Sequence, residues 1–145
     1  MNEPESIQVV QDFYAALSRA EVANILALLA ENVDWHYVGR RKDIPFAGRW
    51  RGHQGVVRFL NSLSAAIDIE EFGPDEVLAC GEHVLCLGRK RAVVRATGRT
   101  FESEWAHLFT VRNGQIIRFR EFCDTATVAS AFAPLPAPVG GPNEV

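Results

Sequence analysis

The chain has 145 residues, 48% of them hydrophobic and 23% charged, the makeup of one globular domain with a real core rather than a disordered, collagenous or two-domain chain. A formal net charge of -3 provides no overall field to gather nucleic acid or acidic lipid, and the single basic run, Arg89-Lys90-Arg91, reads as a solvated hairpin segment. No stretch approaches the roughly 20 apolar residues that a bilayer crossing needs, and the N-terminus is acidic where a secretory signal is basic, so a cytoplasmic protein without a membrane partner is expected.

In chain order, Ile7, Val10, Phe13, Tyr14 and Leu17 recur at spacings of three and four and predict a helix over residues 5–19 with one buried face. A second apolar-rich segment over 22–30 carries Ile25, Leu26, Leu28 and Leu29, and Asn32 stops it before a strand over 33–38. Residues 39–52 mix glycines, a proline and basic side chains without a period and read as a loop holding Phe46 and Trp50. Val56, Val57, Phe59, Leu60 and Leu63 then step at helical spacing and predict a third helix over 53–67.

From there β-branched and aromatic residues dominate. Turn signals at Gly73-Pro74, Gly81-Glu82, Thr97-Gly98 and Asn113-Gly114 predict an antiparallel meander. Asn113-Gly114 marks the clearest hairpin, because those residues adopt positive φ at low cost. A short helix over 125–132, capped by Asp124 or Thr125, precedes a Pro/Gly-rich tail over 133–145 that continues neither helix nor sheet. Helices followed by strands define an α+β layout in which helices cover one face of a curved sheet, leaving a hollow where a ligand fits.

The three cysteines, Cys80, Cys86 and Cys123, form neither an even set nor a C-x-x-C and read as small buried hydrophobes in a reducing compartment. No histidine pair has metal-ligand spacing. Neither a nucleotide-binding glycine loop nor a nucleophile elbow occurs, so neither metal nor cofactor is expected.

Four sequence words carry a resemblance. They are Asp12-Phe13-Tyr14 with Ala16-Leu17; Leu28-Leu29-Ala30-Glu31-Asn32-Val33-Asp34-Trp35; Trp50-Arg51-Gly52-His53-Gln54-Gly55-Val56; and His107-Leu108-Phe109-Thr110-Val111-Arg112-Asn113-Gly114-Gln115-Ile116, running on to Phe122-Cys123-Asp124. Together, over about residues 5–132, they resemble the SnoaL-like branch of the nuclear transport factor 2-like superfamily, which includes ketosteroid isomerases, polyketide cyclases and limonene epoxide hydrolases. The resemblance implies a cone-shaped, curved antiparallel sheet covered by three N-terminal helices (a cystatin-like roll). It also implies a small apolar organic ligand inside and a homodimer built on the outer sheet face. It does not choose between an isomerase, cyclase or hydrolase acting on a small carbonyl, polyketide-like or epoxide compound and a non-catalytic binding or dimerisation module.

Four residues are candidates for chemistry. Tyr14 lies on the buried stripe of the first helix, and its hydroxyl needs either a pocket partner or a backbone one. The resemblance implies the pocket role, as donor to a forming enolate. His36 follows Trp35 in the first strand, near the general-base aspartate of ketosteroid isomerases. A one-residue slip would send it to the other face, toward solvent or a dimer partner. His107 alternates with Trp105 and Phe109 along one strand face. There it is either a donor into the pocket or a satisfied sheet histidine. The isomerases' protonated aspartic acid falls near Trp105 or Ala106, neither of which can replace it, and the epoxide hydrolases' Asp-Arg-Asp grouping finds no place in this chain.

Glu121 shares a face with Ile117, Phe119 and Cys123. Among apolar neighbours its pKa is expected to rise toward a value useful for acid or base work, unless an arginine pairs with it. His36 or Glu121 is thus the expected base, with Tyr14 and His107 as donors. Trp35, Trp50, Trp105, Phe109, Phe119 and Cys123 are the expected walls, and Asp124 reads as a helix cap.

Overall fold

The computed structural model describes residues 2–134. The chain begins with α1 (Glu3–Ser18), α2 (Val22–Ala27) and β1 (Leu29–Tyr37), followed by β2 (Gly48–Arg51) and α3 (Gly52–Ala66). β3 (Ile67–Cys80), β4 (His83–Val94), β5 (Thr100–Arg112) and β6 (Gln115–Cys123) follow, and α4 (Thr125–Phe132) ends the described chain. The tail expected over 133–145 lies outside the described residues except for Ala133 and Pro134. No described helix is long and apolar enough to cross a membrane.

The strands form one six-stranded sheet in the order β2-β1-β6-β5-β4-β3. It is curved and unclosed, with the N-terminal helices packed against it. All neighbours are antiparallel except β1 and β6, which run parallel.

Local chemistry accounts for the elements. At α1 the Asn2 side chain accepts from the Glu5 backbone N–H at 2.9 Å, and Glu3 and Glu5 place negative charge at the positive end of the helix dipole. Val10, Phe13 and Ala16 of α1 and Val56 and Phe59 of α3 are buried against the sheet. Asn113 and Gly114 have φ of 53° and 77°, the left-handed pair that a two-residue hairpin requires. Asp124 caps α4, accepting from the Thr127 N–H at 3.1 Å.

Four expectations need correction. The second helix ends at Ala27, and the strand expected from Val33 begins at Leu29, because Leu29 and Val33 are fully buried in the sheet. The loop over 39–52 contains β2, whose Gly48 to Arg51 pair with Tyr37 to Asp34. Gly73-Pro74 is not a turn. β3 runs through it with register shifts on either side of the pair, and an edge strand tolerates proline at such irregularities. Finally, only Arg89 and Arg91 of the basic run face outward, since Lys90 is 4% exposed.

Candidate functional site

Between α1, α3 and the concave sheet face lies a cavity of about 360 Å³. α1 supplies Phe13, Tyr14, Leu17 and Ser18, α3 supplies Phe59, Leu60 and Leu63, and β3 supplies Ile69 and Phe72. The floor is Trp35 of β1, Lys90 of β4, His107 of β5, and Phe119 and Glu121 of β6. A wider depression around Glu71, Arg89 and Glu102 is open to solvent and rimmed by charges already paired through Arg91. The enclosed apolar cavity is therefore the better ligand site.

One continuous polar chain runs through these apolar walls. Lys90 Nζ donates to Glu121 Oε2 at 3.0 Å. Glu121 Oε1 lies 3.0 Å from His107 Nε2, an approach out of line with the N–H direction. On its other side, His107 Nδ1 is 2.7 Å from the Tyr14 hydroxyl. Strand register sets this up, because His107 sits opposite Glu121 across β5 and β6, and Lys90 faces inward four residues beyond Cys86, which sits opposite His107 across β4 and β5. Trp105 stacks on the imidazole with centroids 3.9 Å apart, Phe72 stacks on Trp105 at 5.0 Å, and Phe119 meets His107 edge-on at 4.8 Å. The imidazole is thereby locked in one plane.

The charges follow from this packing. Burial pushes the Glu121 carboxyl up, but the Lys90 ammonium and His107 outweigh it and hold the group down to about 2. The expected rise is thus reversed, and the partner is a lysine rather than an arginine. For His107, burial lowers the pKa more than Glu121 raises it, which keeps the ring neutral near pH 7. Burial also pushes the Tyr14 phenol far above its ordinary value, with the Cys86 thiol and Glu121 adding to the effect.

Of the expected residues, Tyr14, His107 and Glu121 meet at the cavity, and Trp35 and Phe119 line it with rings stacked at 3.9 Å. His36 does not meet them. Val33, Trp35 and Tyr37 occupy the inner face of β1, so alternation sends His36 to the outer face, where partial burial and then the neighbouring Arg49 and Arg120 lower its pKa.

Trp105 and Phe109 stand one layer behind the lining, Trp105 against His107 and Phe109 against Phe13 and Phe119. Trp50 is held at the far side of Phe59, its Nε1–H donating to the Phe46 carbonyl at 3.1 Å and Arg41 stacked 4.1 Å from its ring. Cys123 lies beyond Glu121, its sulfur 3.2 Å from the Tyr37 hydroxyl. Lys90 is the residue that sequence reasoning missed. The alternation Val84, Cys86, Gly88, Lys90, Ala92 along β4 was the available signal, since four small or apolar residues share its face. Among the described residues no three His, Cys, Asp or Glu side chains are grouped to hold a metal ion.

Fold and cavity together define an α+β pocket protein whose sheet carries a buried polar chain into an apolar chamber. Residues 10–119 match the SnoaL-like domain, and the chain belongs to that family. It is 36% identical to an NTF2-like protein from Burkholderia xenovorans LB400, over 92% of this chain and 99% of that one, with a TM-score of 0.85. An NTF2-like protein from Burkholderia thailandensis E264 is 33% identical, over 92% and 100%, with a TM-score of 0.81. An LEH-like epoxide hydrolase of M. tuberculosis shares the fold at 19% identity, over 89% and 90%, with a TM-score of 0.69. No protein of curated function matches the chain.

Proposed function

We propose that the protein binds a small, mostly apolar organic compound in this cavity and acts on it by acid/base chemistry with its own side chains. The carrying observation is the succession of close polar contacts Lys90–Glu121–His107–Tyr14, each of 3.0 Å or less, on the wall of an otherwise apolar chamber. His107 is the base. A neutral imidazole accepts a proton near physiological pH, and the Glu121 carboxylate beside its Nε2 stabilises the imidazolium that forms. Glu121 itself is too weak a base for the task, because Lys90 holds it ionised. Tyr14 links His107 to the ligand, and the Lys90 ammonium is available to oxygen charge developing on it. A carbonyl or polyketide-like compound, which gives up a proton and gathers charge on oxygen, suits this set, and so does an epoxide, whose attacking water gives up the proton as the ring C–O bond breaks and charge gathers on the ring oxygen. An isomerase, cyclase or hydrolase of such compounds is the reading favoured.

The test is deuterium incorporation at C1 of 6-hydroxy-2-tetralone, which carries both a carbonyl and a hydroxyl, in D2O, followed by NMR. Wild type should accelerate exchange, and His107→Gln should reduce the acceleration by at least about 100-fold, within the range of general acid/base effects. Exchange equal in the two proteins removes His107 from the reaction. The rival reading, a binding module without turnover, draws on the full pairing of Glu121 by Lys90. It predicts that 6-hydroxy-2-tetralone raises the melting temperature while no exchange occurs. We further propose that two copies pair through the outer sheet face, where Leu85, Leu87, Ala106 and Leu108 are half-buried and Phe122 is 39% exposed.

A further inference from the structure

Hydrogen-bond bookkeeping along the buried chain restricts what the ligand must present. Glu121 sits against the Lys90 ammonium at 3.0 Å, so it is a carboxylate and has no proton to give. Its Oε1 faces His107 Nε2 at 3.0 Å. The approach is off the N–H axis, but a carboxylate so close to a ring nitrogen favours the tautomer that puts the positive hydrogen rather than a lone pair beside it, so Nε2 carries the hydrogen. A neutral imidazole has one N–H, which leaves His107 Nδ1 as an acceptor. The Tyr14 hydroxyl, 2.7 Å away, must then donate its only proton to Nδ1. Cys86, the other polar group beside the phenol, has a thiol that is only a weak donor, so a Tyr14 oxygen lone pair stays free at the cavity wall.

We infer that Tyr14 meets the ligand as a hydrogen-bond acceptor, and that the substrates of this cavity therefore carry a hydroxyl, as phenols, enols and hydroxy-carbonyl compounds do. This rests on the proposed reading of the cavity as a ligand site and specifies the ligand's chemistry there. The hydroxyl also defines the proton path. The ligand O–H bond breaks as its proton passes to the Tyr14 oxygen, while the Tyr14 O–H bond breaks as its proton passes to His107 Nδ1. A ligand oxyanion and a His107 imidazolium beside the Glu121 carboxylate result, with Tyr14 restored and net charge unchanged. An acceptor-only compound finds no donor at Tyr14, and its oxygen must compete with Glu121 for the Lys90 ammonium, so it binds more weakly than a hydroxyl compound of the same shape.

The experiment compares three probes of one shape with the full chain by isothermal titration calorimetry. They are 2-naphthol, which donates; 2-methoxynaphthalene, which has lost the donor; and 2-acetylnaphthalene, which only accepts. Wild type should bind 2-naphthol at least about tenfold more tightly than either of the others, and Tyr14→Phe should reduce that preference to under about threefold. If the methyl ether and the ketone bind as tightly as 2-naphthol, the donor requirement is overturned while the cavity reading stands. If none binds with a Kd below about 1 mM, both fall. A measurement on the unaltered protein is independent of the variant's folding: 15N NMR of His107 should report a protonated Nε2 and a bare Nδ1. The opposite tautomer overturns the inference whatever the affinities.

Discussion

Lys90 and Glu121 form a buried pair with side chains 4% and 7% exposed, and such pairs react very differently to losing one partner than to losing both. Lys90→Met leaves an unpaired carboxylate in an apolar wall and should cost about 3–5 kcal/mol in urea unfolding. The double replacement Lys90→Met with Glu121→Leu should recover much of that loss, so that the single changes are far from additive. The pH dependence has a definite sign. The Glu121 carboxyl is held at about 2 in the folded chain against about 4.3 when unfolded, so its contribution is complete above about pH 4.5 and lost as pH falls toward 2. In Glu121→Gln the part of the acid slope due to this group should disappear. Gly88 is a second sensitive residue, because a Cβ there would collide with the Gly73 backbone carbonyl oxygen and sit 2.5 Å from Trp105 Cζ2. Gly88→Ala should cost about 1–3 kcal/mol and, by displacing the ring stacked on His107, slow any proton exchange further than that loss alone.

Among the elements, the β5–β6 hairpin and α4 were readable from the sequence because short-range chemistry decides them. Gly114→Ala forces a side chain into φ of 77° and should cost about 1–2 kcal/mol. Asp124→Ala removes the α4 cap and should cost about 1 kcal/mol. Both are measurable as shifts in the thermal midpoint. β2 and the passage of β3 through Gly73-Pro74 were not readable. β2 is four residues with a glycine and exists by pairing with β1. β3 is mostly exposed, so it lacks the alternation that marks a half-buried strand, and pairing with β4 carries it past the proline.

For the whole molecule, six elements, α1, β1, α3, β3, β4 and β5, join β6 around one chamber, while the opposite sheet face turns outward. Leu85 pairs with Leu108, Leu87 with Ala106, and Ala106 with Phe122 across that outer face, forming a contiguous apolar row. Light scattering should report a mass of two chains. Leu108→Glu, which places a carboxylate in the row, should shift the protein toward one chain without disturbing the cavity behind the sheet. A single-chain mass for wild type would end the pairing proposal.

By itself the sequence determined the α+β order, the helix with Tyr14 on its buried face, the alternation that turns Trp105, His107 and Phe109 inward, and the caps and hairpin. These are properties of periods of 3.6 and 2 and of local turn chemistry, and a single chain segment displays them. Only the tertiary structure decided that His36 lies outside the site and Lys90 inside it, and that Glu121 is a held carboxylate rather than a raised one. These outcomes depend on which side chain from one strand meets which from another, and on the desolvation and charge that the meeting creates. No segment contains that information alone.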